Sequence, residues 1–137
     1  MQITLKGHMQ LNEAERVTLR QRVESEFRGY VASYSVMRAG GLLGVALSKK
    51  HFEDDVARML ACVVDPYLDR YDLGNGILSS DRDMLGYRPA FVVAEDDPYF
   101  LLFDYVAEDF VLAWKASNGQ LKSWGLRGDA ASTFHAR

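Results

Sequence analysis

Residues 90–126 read AFVVAEDDPYFLLFDYVAEDFVLAWKASNGQLKSWGL, and this stretch decides the fold. Apolar runs of strand length alternate with short groups of turn formers: Glu95-Asp96-Asp97-Pro98, then Ala107-Glu108-Asp109, then Asn118-Gly119. Asn-Gly between two strand-like runs is the strongest short hairpin signal. The pattern predicts a meander of four antiparallel strands, AFVVAE, YFLLFDYV, FVLAWKAS and QLKSWGL. Beyond it, Asp129 is placed to cap a short helix, AASTFHA.

Working back toward the start, residues 72–87 (DLGNGILSSDRDMLGY) are rich in turn formers and read as the longest irregular segment, with a short strand at Ile77-Leu78. Before it, Phe52, Val56, Met59, Leu60 and Val63 fall on one helical stripe, which predicts a helix from Lys50 to Val64. Glu53, Asp54 and Asp55 would complement the dipole at its first turn. Pro66 marks a boundary, and PYLDRY reads as a further helical turn capped by Asp65. Residues 30–47 divide at Ala39-Gly40-Gly41 into two β-branched and aromatic runs, the pattern of a hairpin.

The first helix is announced by Asn12 with Glu15 three positions on, a capping-box arrangement. Val17, Leu19, Val23 and Phe27 supply its apolar stripe, Arg16, Arg20, Arg22 and Glu24 a wet face, and Gly29 its stop. Ile3 and Leu5 alternate with Thr4 and Lys6 in a half-buried strand at 2–7. The whole chain, 1–137, is expected to form one α+β domain: a mainly antiparallel sheet with a C-terminal four-stranded meander, two main helices and a short terminal helix.

At 137 residues with 48% hydrophobic content, the chain is large enough to bury a core without staples. A lone cysteine, Cys62, sits in the apolar run MLACVV and forms no internal disulfide, so a reducing compartment is expected. No leader pattern opens the chain and no stretch approaches membrane-span length, which makes the cytoplasm the expected location and a membrane an unexpected partner.

Tests for chemistry mostly fail. Gly40-Gly41-Leu42-Leu43-Gly44 lacks the Lys-Ser/Thr that follows a phosphate loop. His8, His51 and His135 are far apart, and an EF-hand register begun at Asp69 places Tyr71, Leu73 and Ser80 where oxygen donors belong. No Gly-x-Ser-x-Gly elbow occurs, and Cys62 is expected mid-helix. Glu95, Asp96, Asp97 and Asp104 offer carboxylates, but their spacing establishes no acid–base pair. No cofactor, no metal and no catalysis is expected. Arg16, Arg20, Arg22 and Arg28 interleave with Glu13, Glu15, Glu24 and Glu26, so a nucleic-acid partner is not expected either.

The net charge of −3 is distributed unevenly: residues 1–52 carry +4, residues 53–110 carry −10 and residues 111–137 carry +3. An acidic middle segment steers basic partners at short range, within a screening length of about 8 Å. Tyr67, Tyr71, Tyr87, Tyr99 and Tyr105 lie in or beside it, and tyrosine is a favoured contact residue.

The C-terminal third resembles the end of SUKH-type domains. The positions that carry the resemblance are the Ala90–Ala94 strand, Glu95-Asp96-Asp97, the Tyr99–Asp104 strand, Trp124 and the Ala130–Phe134 helix. The resemblance implies an immunity protein of bacterial competition: a non-enzymatic inhibitor that covers the active site of a cognate toxin or effector. In that role Asp81, Asp83, Glu95, Asp96 and Asp97 would supply charge to a basic cleft, and Tyr87 and Tyr99 contact area, with the protein a monomer or homodimer. The alternatives are a secretion chaperone or adaptor with an apolar groove, and a small enzyme.

Overall fold

A computed structural model of the chain describes residues 11–38, 49–72 and 87–137. The elements are α1 (Glu13–Arg38), α2 (Lys49–Ala61), β1 (Val63–Asp72), β2 (Tyr87–Asp96), β3 (Tyr99–Asp104), β4 (Asp109–Lys115), β5 (Leu121–Gly128) and α3 (Ala130–His135). The fold is α+β and its sheet is mostly antiparallel, as expected. The strand at 2–7, the Gly-Gly turn, the strand at Ile77-Leu78, Asp81 and Asp83 lie outside the described residues.

All four strands of the meander form, and β1 adds a fifth. Successive strands pair antiparallel, so the first and fifth run in the same direction. They meet in parallel at Tyr71↔Leu121 and Asp72↔Lys122, closing the sheet into a barrel. Closure explains why β2, β3 and β4 read as almost unbroken apolar runs: both of their faces are buried, as they are in sheets covered on two sides, whereas β1 is largely exposed. Alternate side chains divide between two cores. Ala90, Val92, Phe100, Leu102, Val111, Ala113 and Leu121, with Tyr71, fill the barrel. Phe91, Val93, Leu101, Phe103, Phe110 and Leu112 face outward against Leu19, Val23 and Phe27 of α1, Val56 and Met59 of α2, and Phe134 of α3.

Several local expectations are corrected. The capping box is present: the Asn12 amide donates to Glu15 Oε1 at 2.9 Å, and the Glu15 amide to Asn12 Oδ1 at 2.8 Å. Gly29 does not stop α1, which continues to Arg38, so residues 30–38 are helix and not half of a hairpin. A helical glycine costs only about 1 kcal/mol, and Tyr30 extends the stripe of Leu19, Val23 and Phe27 onto the core. Val17 lies off that stripe and is 48% exposed. Arg22 is not on a wet face: half-buried, its guanidinium lies 5.4 Å and 5.1 Å from the ring centres of Phe103 and Phe110.

The second helix begins at Lys49, so Glu53, Asp54 and Asp55 lie beyond its first turn. It ends at Ala61, which puts Cys62 in the turn to β1 and Val63 in the strand. PYLDRY is strand and not helix. Pro66 is accommodated because the β1–β2 register shifts between Val63 and Tyr67, leaving it in a bulge where no ladder donor is required. In the C-terminal hairpin Gly119 adopts a positive φ of 86°, the conformation that favours glycine at that turn.

Candidate functional site

Two polar assemblies are built on this frame, one at the end of the barrel and one outside it. The first gathers Tyr71, Arg88, Asp104, Asp109 and Arg127. Asp104 follows Phe100 and Leu102 on the inward face of β3 and is completely buried. Its Oδ2 accepts from Tyr71 Oη at 2.5 Å, Arg127 Nη2 at 2.9 Å and Arg88 Nη1 at 3.3 Å. Its Oδ1 accepts from the amides of Val106 and Ala107 at 2.9 and 3.0 Å. Arg127 also forks onto Asp109, with Nε and Nη2 each 2.8 Å from a carboxylate oxygen, and Nη1 donates to Tyr71 Oη at 3.0 Å.

Burial alone would raise the Asp104 carboxyl. The hydrogen bonds from Tyr71, Ala107 and Arg127, with the charge of Arg88, outweigh it and hold the group below the ordinary carboxylate range. Burial, followed by the bond to Asp104, pushes the Tyr71 hydroxyl well above its ordinary value. The fork to Asp109 leads the interactions that keep Arg127 protonated. With these groups engaged on one another, the cluster is a charge-balanced plug for the barrel end. Asp104, one of the acids of the charged segment, and Tyr71, one of the tyrosines expected to offer contact area, thus both belong to the interior.

The second assembly is an open groove of about 390 Å³. Asp55, Arg58 and Met59 of α2 form one wall, Asp96, Asp97 and Tyr99 of the β2–β3 turn another, and His135 and Arg137 at the end of α3 a third. The turn contains a cis Asp97–Pro98 peptide, and the Pro98 carbonyl accepts from the Lys115 amide at 2.8 Å. The α3 wall is fixed at its start by two carboxylates: Asp129 Oδ2 accepts from the Ser132 amide at 2.9 Å, and Glu26 Oε1 from the Ala130 amide at 2.8 Å. Phe134 then anchors the helix by stacking on Phe27 at 5.6 Å between ring centres.

Within the groove, Asp55 pairs with Arg58 and lies 3.6 Å from His135 Nε2. Asp96 accepts from Arg137 Nε at 2.8 Å. Asp97 is exposed and forms no ion pair with another described residue. Cys62 borders the same region: its Sγ lies 3.3 Å from the Arg58 carbonyl. Burial, then the charge of Asp96, pushes its thiol up against the opposing influence of Arg137, which keeps it protonated.

The residues expected to form one contact face are thus divided. Asp96, Asp97 and Tyr99 come together on the groove. Glu95 turns away from it, accepting from Tyr67 Oη at 2.6 Å. Tyr87 lies at the opposite end of β2, where its hydroxyl donates to Gln120 Oε1 at 3.0 Å. Folding also changes the meaning of the charge segregation. Asp65 pairs with Arg20, Asp96 with Arg137, and Asp104 and Asp109 with Arg127, so bases from the flanking segments answer acids of the middle one. Arg58, Arg137, Asp55 and His135 were missed as site residues, because nothing in their sequence spacing relates α2 and α3 to a hairpin turn.

Among the described residues no group of three or more His, Cys, Asp or Glu is placed to hold a metal ion, and no helix is long and apolar enough to cross a membrane. In comparisons with protein-family models, curated proteins and solved structures, nothing matches this chain significantly.

Proposed function

We propose that the chain is a protein-binding inhibitor, an immunity protein that neutralises a cognate bacterial toxin, and that the groove between α2, α3 and the β2–β3 turn takes part in the contact. The observation that carries this reading is the meeting of Asp96, Asp97 and Tyr99 on one open groove. An accessible carboxylate beside a tyrosine offers both charge and contact area to a basic surface, the combination that speeds association and sets partner choice. The resemblance of residues 90–134 to SUKH-type domains supports the same role. The lining, rich in charged side chains, favours it over the secretion-chaperone reading, which needs an apolar groove.

The test is the protein encoded beside this chain's gene. Produced alone in a bacterial host it is expected to arrest growth, and co-production of this chain is expected to restore growth and yield a stable complex. A neighbour that is harmless by itself, or that kills equally with and without this chain, overturns the proposal.

A further inference from the structure

The groove is more than a group of acids, because it already holds a guanidinium. Arg137 is only 15% exposed in its side chain. Besides the neighbouring Cys62 thiol, three groups receive it: the Asp96 carboxylate at 2.8 Å, the Phe134 carbonyl at 2.9 Å from Nη1, and the face of the Phe134 ring, 3.9 Å from the guanidinium carbon. Carboxylate, carbonyl and aromatic face together recognise an arginine in preference to a lysine, whose ammonium is a compact point charge without a planar surface to stack. Beside this seat stand the exposed carboxylate of Asp97 and the ring of Tyr99, lining the same groove.

We propose that Arg137 is an internal stand-in for an arginine of the partner, and that the partner binds by displacing it from Asp96. This inference rests on the inhibitor reading and specifies the chemistry the groove selects: an exposed arginine on a basic segment of a protein. The displaced side chain lies past the end of α3 and gives up its bond to the Phe134 carbonyl, while the Asp129 cap and the stacking of Phe134 on Phe27 continue to hold the helix. The incoming arginine inherits Asp96 and the Phe134 face and gains Asp97. The native contact is therefore autoinhibitory: it covers the Phe134 ring in the free protein and lowers affinity for weak basic competitors.

The experiment titrates the isotopically labelled full chain with the peptide acetyl-Gly-Arg-Gly-amide and follows backbone amide shifts, with the lysine and glutamate peptides as controls. Shifts are expected at Asp96, Asp97, Tyr99 and Arg137, with arginine ahead of lysine and glutamate without effect. Arg137→Ala is expected to tighten the arginine peptide roughly fivefold, the scale of one partly exposed ion pair. Arg137→Gln, which retains most of the stem, should behave alike, and Asp96→Asn should abolish the shifts. Unchanged or weaker binding in both Arg137 variants, or shifts confined to another face, overturns the stand-in. Growth protection separates the two proposals: if it holds while the Arg137 variants bind the peptide no more tightly, only the stand-in fails. If it fails while they bind more tightly, only the inhibitor reading does.

Discussion

Tyr71 near the end of β1 and Asp104 at the end of β3 are both completely buried, and the tyrosine hydroxyl donates to the carboxylate at 2.5 Å across 33 residues of sequence. This bond ties the strand that closes the barrel to its centre. Asp104→Asn leaves Arg127 and Arg88 facing a neutral amide, a change expected to destabilise the fold by about 3 kcal/mol. Tyr71→Phe removes one hydrogen bond from each neighbour and is expected to cost about 1–2 kcal/mol. Denaturant melts of the two variants check both values, and a neutral result for Asp104→Asn contradicts the plug.

The same cluster sets the response to pH. Asp104 is held below the ordinary carboxylate range, so in acid the unfolded chain takes up its proton first, near a pKa of about 3.9. Its contribution to stability is present above that value and is lost as pH falls through the folded value. Tyr71 works in the opposite sense: its folded value is raised, so its contribution is present below about pH 10 and is lost as pH rises through the folded value. Stability measured against pH should fall on both sides. Asp104→Asn should flatten the acid limb and Tyr71→Phe part of the alkaline one.

Gly29 lies inside α1, and a Cβ built there meets nothing within 4 Å. Gly29→Ala is therefore expected to raise stability by about 0.5–1 kcal/mol, visible as an upward shift in Tm. A loss of stability would place the end of the helix at this residue after all.

Phe134 fastens α3, and with it one wall of the groove, by stacking on Phe27. Phe134→Ala should cost about 3–5 kcal/mol through the cavity it leaves. Glu26→Gln, which keeps an acceptor for the Ala130 amide but removes the charge opposite Arg22, should cost less than 1 kcal/mol. Thermal melts of both variants test this order, and its reversal would mean that α3 is held by charge rather than packing.

Much of the barrel was legible because turn chemistry is local: Pro98, Asn118-Gly119 and Asp129 stand where the chain turns or a helix begins. Closure was not legible, since the Tyr71↔Leu121 pairing joins residues 50 positions apart and rests on register alone. Local reasoning failed where packing overruled propensity, at Gly29 and at Pro66. For the site, the turn acids were found because they interrupt apolar strands. Their neighbours Asp55, Arg58, His135 and Arg137 come from distant helices and carried no local signal. Segment charge is not surface charge in the folded chain, because Arg20, Arg127 and Arg137 return from distant positions to neutralise acids of the middle segment.

Whether the groove takes part in binding a basic partner is decided by the affinity of the chain for the protein encoded beside its gene, measured with wild-type and Asp97→Lys chains at low and moderate salt. Asp97 is exposed and forms no ion pair with another described residue, so its replacement is expected to change the fold's stability little, which a thermal melt of the variant checks. Asp97→Lys is expected to weaken the complex roughly tenfold or more, and moderate salt to weaken the wild-type complex steeply and the variant complex less. Equal affinity of the two chains at both salt concentrations would contradict that role of the groove.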